Sequence, residues 1–517
     1  MMRSRKMSPA RPSINSGVLR PLTILASLLA MVVADTAAES NPAPVFFQLP
    51  PGALELTNAD PSGSALKSFI LPVEQMLGTF VFVSANIKAE NVSAKPQPWN
   101  GIKLMVKIVT PDRTDWPQPA IPAGTFDWQR FSSRILIPTN TTAATLTLGL
   151  EKVSGKAWFD QVKVSLSRVL QSLPFAPADQ PIFRDHDLPR LRGAMVSPRM
   201  SEADLAVLAD EWHGNLIRWQ LIRSNRDAQS ETVSYDQWLD GLLAKTDQVL
   251  DWAKKHGVQV VLDLHSPPGG TASQGGYVAA MGGFFSQPEA QLHFIEVWRK
   301  MARRYKGNAV IWGFDLVNEP VDDQTAAGCQ DWQALALTTG QAIREIDPER
   351  ILIVEPPHWG GPSGWDGFNP IPLPRVVYSF HMYEPARFTH QRVFDKSQRS
   401  VTYPGEIDGQ TWNREKLIKV MQPAIDFARK YRVHLYVGEF SAIRWASGAE
   451  KYLADLTSIF EEQGWDWSYH AFREWSGWSL EHGPDEKDDK PVSQKTARFE
   501  VIDHWLKQNR RPGGAQP

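Results

Sequence analysis

The sequence predicts an α/β fold, a (β/α)8 TIM barrel, preceded by an all-β sandwich of the jelly-roll type. Three observations support this prediction. Apolar residues alternate with period two early in the chain, short apolar runs alternate with helical segments after residue 188, and polar residues stand where many of these later runs end. A length of 517 residues accommodates both parts, because single domains usually contain about 100–200 residues.

The composition is that of a globular protein that does not bind nucleic acid. Hydrophobic residues make up 42% and charged residues 22% of the chain, which is enough apolar material for a large core. The formal net charge is −2, so nothing indicates a basic nucleic-acid surface. A single cysteine excludes both a disulfide scaffold and a thiolate metal cluster. Twenty tryptophans are unusual, and a role for them has to be found.

Residues 1–38 are predicted to be a secretory signal peptide. Five basic residues precede or flank a short apolar run over residues 21–34, and the small residues Ala37 and Ala38 follow it. The run is fourteen residues long, whereas a helix that crosses a bilayer needs about twenty. We therefore expect an exported protein, extracellular or periplasmic, without a membrane span.

Residues 45–170 are predicted to form the sandwich. Leu104, Val106 and Ile108 alternate with polar or less apolar neighbours, and turn-rich pieces separate this run from similar ones. The stretch 155–164 resembles the last strand of jelly-roll carbohydrate-binding modules. Four tryptophans of this part are equally compatible with a core and with a sugar platform, namely Trp99, Trp116, Trp128 and Trp158.

Residues 188–508 are predicted to form the barrel, after a proline-rich linker at 171–187 and before a tail at 509–517. The predicted strands are 192–196, 215–219, 258–264, 310–317, 351–355, 376–380, 434–437 and 465–469. The predicted helices are 202–211, 238–256, 288–305, 332–346, 412–431 and 449–463. No glycine-rich phosphate motif follows the first strand, which argues against a dinucleotide cofactor. We predict no cofactor.

Polar side chains cluster where five of the predicted strands end, which is where barrel enzymes carry their chemistry. They are Arg218 on the second strand, His265 after the third, Asn318 and Glu319 after the fourth, His381 and Tyr383 after the sixth, and Glu439 on the seventh. Glu355 and Glu384 also leave strands, and we expect them to brace loops.

Glu319 and Glu439 each follow an apolar run, so both are expected at the mouth of the barrel. Two carboxyl groups in one cleft are what glycoside hydrolysis requires, one as the acid and the other as the nucleophile or base. A structural ion pair with an arginine is the alternative for a single glutamate. Two glutamates together with an arginine, two histidines and a tyrosine favour catalysis.

These residues, in this order and on these strands, resemble glycoside hydrolase family five, the cellulase family, over residues 188–506. The resemblance implies a retaining double displacement in which Glu319 is the acid/base and Glu439 the nucleophile. It further implies that Arg218 and Tyr383 keep Glu439 ionised and that Asn318 binds the sugar 2-hydroxyl. His265 would line the cleft, and His381 would orient Glu319.

The eighth strand departs from the family pattern. The family usually ends this strand with a tryptophan that stacks on the sugar, and here His470 takes that position. Trp475 or Trp478 could replace the missing indole. Because pyranose faces pack on indole planes, we expect sugar contacts from seven residues, His470, Trp219, Trp359, Trp365, Trp445, Trp475 and Trp478.

A metal site is not expected, because His265 and His381 lie 116 residues apart and neither has a histidine partner close in sequence.

The function predicted first, from the signal peptide and the family resemblance, is a secreted, monomeric endo-β-1,4-glucanase that acts on polysaccharide or oligosaccharide. A β-mannanase, a β-1,3-glucanase or another β-glycosidase would use the same catalytic set. A non-catalytic polysaccharide-binding protein and a metal-dependent barrel hydrolase are alternatives of other classes.

Overall fold

The structure, a computed structural model, describes residues 44–97, 99–111, 113–171, 173–223, 233–269, 283–322, 325–326 and 328–511. The predicted signal peptide and most of the glycine-rich stretch after the third barrel strand lie outside the described residues. Within these ranges, no helix combines the length and the apolar character needed to cross a membrane.

The sandwich consists of two antiparallel sheets. Its elements in chain order are β1 (Val45–Gln48), β2 (Leu54–Asn58), β3 (Ser64–Ile70), the short helix α1 (Val73–Met76), β4 (Thr79–Val92), β5 (Gly101–Val109), β6 (Thr114–Asp115), β7 (Gly124–Ile137), β8 (Ala143–Glu151) and β9 (Gly155–Val169). One sheet has the order β1-β9-β4-β7, with β2 also on β9, and the other has the order β3-β8-β5-β6. Leu104, Val106 and Ile108 are buried between the sheets, as their alternation predicts.

The tryptophans of the sandwich do not form its core. Trp99, Trp116 and Trp128 are 62%, 55% and 44% exposed. Trp158 is half-buried, and its indole N–H donates to the carboxylate of Glu55. The core is instead made of aliphatic side chains, Met76 and Phe159.

Eight parallel strands form the closed barrel in the predicted order. Its elements are β10 (Arg192–Val196), α2 (Glu202–Ala206), β11 (Leu216–Gln220), α3 (Tyr235–His256), β12 (Gln259–Asp263), α4 (Pro288–Tyr305), β13 (Ile311–Asp315), α5 (Trp332–Arg344), β14 (Leu352–Val354), β15 (Val376–Met382), α6 (Ala386–Thr389), the hairpin β16 (Gly405–Ile407) and β17 (Gln410–Trp412), α7 (Arg414–Tyr431), β18 (Leu435–Phe440), α8 (Ala449–Gln463), β19 (Asp466–Phe472) and α9 (Ala497–Leu506). The barrel order is β10-β11-β12-β13-β14-β15-β18-β19.

Three features of the barrel differ from the predicted elements. Strands β15 and β18 run beyond their predicted ends, and their pairing places His381 opposite Glu439. Residues 355–375, all described, contain only one 3-10 turn, Pro362–Trp365, where a barrel helix would normally stand. The final helix α9 was not among the predicted helices, although Thr496 caps it and buried Phe499, Ile502 and Leu506 recur at helical spacing.

The predicted linker 171–187 is anchored to the N-terminal end of the barrel. Arg184 and His186 contact the buried carboxylate of Asp466, which begins β19, at 3.2 and 2.8 Å. Phe183 packs against the apolar cluster that fills this end of the barrel. The segment therefore joins the two parts of the chain as a fixed connection, and from Pro44 onward the chain forms one compact unit.

Candidate active site

The C-terminal ends of the barrel strands bring the predicted polar residues together. Because the carboxyl ends of parallel strands meet at one rim, each side chain reaches its neighbours across the barrel mouth. Hydrogen bonds or ion pairs join Arg218 to Asn318 and Glu439, Tyr383 to Glu439 and His470, and His381 to Glu319. His265 is buried beside them, with Nδ1 2.7 Å from Oδ2 of Asp263.

Arg218 is a fully buried cation at the centre of this site. Its guanidinium group lies within 3.1 Å of four carboxylates, those of Asp263, Asp315, Glu355 and Glu439. A planar guanidinium has five N–H donors and can satisfy several such partners at once. Burial alone would lower the pKa of Arg218, but the four carboxylates raise it well above its ordinary value. Arg218 is therefore permanently charged.

Glu439 is held as an anion. Arg218 Nη1–H donates to Oε1 at 2.6 Å, and the Tyr383 hydroxyl donates to Oε2 at 2.8 Å. Burial would raise the pKa of Glu439, but the positive charges of His381, His470 and Arg218 lower it well below its ordinary value.

Glu319 has the opposite electrostatic environment. Burial raises its pKa above the ordinary value, although the neighbouring His381 acts in the other direction. Its Oε1 lies 2.8 Å from Nδ1 of His381. Its backbone has a φ of 47°, a left-handed conformation that is uncommon for a residue with a side chain, and its N–H donates to Oε2 of Glu355 at 2.9 Å. Glu355 thus braces the Glu319 loop, as expected.

The two glutamates face each other. A carboxylate oxygen of Glu319, one of Glu439 and a ring nitrogen of His381 all lie within 4.8 Å of one another. The carboxyl groups of retaining glycosidases stand about 5–5.5 Å apart, whereas inverting enzymes leave room for a water between them. Glu319 is hydrogen-bonded to His381, and Glu439 accepts hydrogen bonds from Arg218 and Tyr383, so these bonds hold the two carboxyl groups in place.

His470 occupies the end of the eighth strand and contacts the site directly. Its Nδ1 lies 2.5 Å from the Tyr383 hydroxyl and 3.8 Å from Oε2 of Glu439, and its Nε2 lies 3.5 Å from Glu474. Burial would lower the pKa of His470, but Glu439 and Glu474 raise it. An imidazole whose pKa is raised therefore stands where the family pattern has an indole.

The prediction that Trp219 and Trp365 contact the sugar is wrong. Trp219 is fully buried among core residues, and its indole N–H donates to Thr246 on α3. Successive residues of a strand point to opposite faces, so Trp219 must face the helices if Arg218 faces the barrel interior. Trp365 is also buried, with its ring stacked 4.3 Å from that of Phe427 on α7.

The remaining aromatic candidates lie near the site. The backbone N–H of Trp359 donates to the carbonyl of Pro320, next to Glu319, and Trp359 is 43% exposed. Trp478 is buried with its ring 5.6 Å from that of His470. Trp475 and Trp445, both half-buried, continue the aromatic row from Trp478 at ring distances of 5.6 and 6.1 Å.

Sequence reasoning missed Asp263, Asp315 and Glu474. The two aspartates neutralise Arg218, and Glu474 links His470 to Gln220, whose amide donates to it at 2.8 Å. A charged residue inside an apolar strand was the available signal for the aspartates, because a buried charge needs a partner. Glu474 lies in a loop and gave no such signal.

The fold and the site define an enzyme that hydrolyses O-glycosyl bonds, a glycoside hydrolase. Residues 179–480 match the family described as Cellulase (glycosyl hydrolase family 5), which is more than half of the chain. The chain belongs to glycosyl hydrolase family 5, and a retaining mechanism is consistent with that family.

Two named proteins and one solved structure are similar to part of this chain. Endoglucanase C of Acetivibrio thermocellus is 30% identical over 285 residues, covering 50% of this chain and 78% of its own. Cellodextrinase A of Ruminococcus flavefaciens is 29% identical over 285 residues, covering 54% of this chain and 80% of its own. The structure of Thermotoga maritima Cel5A with cellobiose has 20% identity and a TM-score of 0.47, covering 61% of this chain and 96% of that one.

Proposed function

We propose that the protein is a secreted, retaining endo-β-1,4-glucanase in which Glu439 is the nucleophile and Glu319 the acid/base. One observation supports this proposal most strongly. Two carboxyl groups within 4.8 Å of each other have pKa values shifted in opposite directions, Glu439 downward and Glu319 upward. Such a divergence separates a group that stays ionised from one that keeps its proton.

In the first step, the Glu439 carboxylate attacks the anomeric carbon while Glu319 gives its proton to the glycosidic oxygen. The bond between the anomeric carbon and that oxygen breaks, and a glycosyl ester of Glu439 forms. In the second step, Glu319, now ionised, takes a proton from water. The resulting hydroxide attacks the anomeric carbon and releases Glu439 as a carboxylate, with net retention.

Asn318 is proposed to bind the sugar 2-hydroxyl. Its Oδ1 accepts from Arg218, which fixes the orientation of the amide. Among the described residues, its Nδ2 is a buried donor without a hydrogen-bond partner. A buried unpaired donor is costly, and a substrate hydroxyl would satisfy it. His265, Trp359, Trp445, Trp475, Trp478 and His470 are proposed to line the sugar subsites, and His381 to orient Glu319.

The test is product analysis on β-1,4-glucan, β-1,3-glucan, mannan and xylan, with a Glu439→Gln variant as the blank. We expect cellulose-type chains to be cut internally and the first product detected by proton NMR to be the β-anomer. We expect β-1,4-glucan to be the preferred substrate because the similar Acetivibrio thermocellus protein is named an endoglucanase. Preferential cleavage of mannan or β-1,3-glucan would show that this polymer is the substrate instead. An α-anomer formed first would refute retention. Absence of hydrolysis on every polymer would support the non-catalytic alternative.

Export remains a proposal that rests on residues 1–38. N-terminal sequencing of the enzyme recovered outside the producing cell tests it, since the mature chain is expected to begin close to Ala38. An intact Met1 in the recovered protein would contradict it.

The pH profile is expected to respond to His470. Activity is lost as the pH falls through the pKa of Glu439, because the nucleophile is then protonated, and as the pH rises through that of Glu319, because the acid is then ionised. The His470 cation lies 3.8 Å from Glu439 and lowers its pKa. A His470→Gln variant is therefore expected to raise the pKa of Glu439, so that the acidic limb of the pH profile of kcat/KM moves to higher pH.

A matched variant, His293→Gln on the surface of α4, should leave the profile unchanged. An unshifted acidic limb in His470→Gln would contradict the expectation.

A further inference from the structure

The sandwich presents a cationic cluster to the barrel. Phe80 on β4, Arg134 on β7 and Arg168 on β9 stand on three neighbouring strands. The guanidinium groups of Arg134 and Arg168 lie 4.4 and 4.8 Å from the centre of the Phe80 ring. The Phe80 ring thus makes cation–π contacts with two cations on one face of the sheet.

Carboxylates of the barrel, from the segment that follows Glu319, form ion pairs with this cluster. Arg134 Nη1 lies 2.5 Å from Oδ2 of Asp322, and its Nη2 lies 3.5 Å from Asp331. Arg168 donates to the side-chain oxygen of Gln333 at 3.0 Å. The side chains of Arg134 and Asp322 are only 4% and 6% exposed, so solvent does not screen their interaction.

Asp322 is connected to Glu319 by more than the chain between them. Its Oδ2 also accepts the backbone N–H of Trp332 at 3.0 Å, and the indole N–H of Trp332 donates to the carbonyl of Glu355 at 2.7 Å. The Glu355 carboxylate in turn accepts the backbone N–H of Glu319. The ion pair with the sandwich therefore anchors both the loop and the group that braces it.

The Glu319 loop needs such anchors. The positive φ of Glu319 is a conformation that persists only where the surrounding structure imposes it. Glu355 holds the loop at Glu319, Trp359 holds it at Pro320, and Arg134 with Trp332 holds it at Asp322. Of these residues, only Arg134 belongs to the sandwich.

We propose that Arg134 is a positioning residue for Glu319, so that the sandwich takes part in catalysis by holding the acid/base loop through Asp322. This inference rests on the proposed role of Glu319. Arg134 does not touch the substrate, and its effect is confined to the steps that need proton transfer by Glu319.

The experiment compares kcat/KM of an Arg134→Met variant on two substrates, 4-nitrophenyl and 2,4-dinitrophenyl β-cellobioside. This quantity reports formation of the glycosyl-enzyme, and only the poorer leaving group, 4-nitrophenolate, gains from protonation by Glu319. We expect a loss of roughly tenfold to a hundredfold on the 4-nitrophenyl substrate, as a misplacement of about 1 Å can produce. The dinitrophenyl substrate should be turned over nearly as fast as by the wild type. The alkaline limb of the pH profile should also shift.

The matched control is Arg130→Met, on the same strand β7, where the Arg130 side chain donates to the Ser84 hydroxyl. It should leave both substrates unaffected. Arg134→Lys keeps the charge and should recover part of the lost activity. If Arg134→Met does not fold, Asp322→Asn replaces it, and the same difference between substrates is expected.

Equal losses on the two substrates, or no loss on either, would overturn the proposal, because a merely structural contact would not distinguish leaving groups. A Glu319→Ala variant is assayed in parallel. If that variant also fails to distinguish the substrates, the proposed role of Glu319 is at fault. If it distinguishes them and Arg134→Met does not, only the positioning role of Arg134 fails.

Discussion

A Glu439→Gln variant is expected to lose kcat by a factor between about 10⁴ and 10⁶, which is the range found when a catalytic nucleophile or its partner is removed. The amide cannot form the glycosyl ester, so the first step has no nucleophile. The volume of the side chain and its oxygen acceptor are conserved, and Arg218 keeps its ion pairs with Asp263, Asp315 and Glu355. The loss should therefore appear in turnover and not in folding.

Two further measurements separate a lost nucleophile from a damaged site. Calorimetric titration with a β-1,4-gluco-oligosaccharide should still detect binding, and the melting temperature should stay close to that of the wild type. The matched control is Glu384→Gln, which makes the same change at an exposed glutamate outside the hydrogen bonds that join Arg218, Tyr383 and Glu439. Near-complete hydrolysis by Glu439→Gln would remove Glu439 as the nucleophile.

A Glu319→Ala variant is expected to lose activity selectively. With polysaccharide or another poor leaving group, the rate should fall by about 10²–10⁴, the usual contribution of a general acid. With 2,4-dinitrophenyl β-cellobioside, formation of the glycosyl-enzyme should be much less affected, because this leaving group departs without a proton.

The second step of Glu319→Ala should be rescued by azide. Azide is a small anion that fits the space left by the carboxylate and attacks the anomeric carbon without a base. It approaches from the face opposite Glu439, so the expected product is the β-glycosyl azide, which NMR identifies. Sodium chloride at the same ionic strength serves as the control for the effect of salt. An α-glycosyl azide, or no rescue at all, would count against Glu319 as the acid/base.

Much of the barrel was predictable because its signals are local. The runs around β10 and the helices α4 and α8 follow from the period of their apolar residues, and their predicted bounds agree with the structure. Glu319 and Glu439 were recognisable because each is a charged residue that follows an apolar run in the sequence. The prediction of Trp219 as a sugar contact failed although the alternation of a strand, with Arg218 facing inward, already argued against it.

Trp365 failed for a different reason. It lies in the fifth unit of the barrel, where a 3-10 turn replaces the helix and packs onto α7. No local pattern indicates that packing, because the partner ring belongs to Phe427, which comes 62 residues later. Asp263 and Asp315 were overlooked because their partner, Arg218, is likewise far away in the sequence.

The sequence by itself determined the order of the barrel strands and identified part of the polar residues at their ends, because the period of apolar residues and the change to polar ones are both visible among neighbouring residues. Only the tertiary structure decided which charges face each other. Tyr383 and His470 meet at Glu439, and Arg134 of the sandwich reaches Asp322 across 188 residues of chain. Such contacts form only when the barrel closes and the sandwich packs against it. A hydrogen bond between distant residues does not change the spacing of apolar residues around either partner, so the sequence does not reveal it.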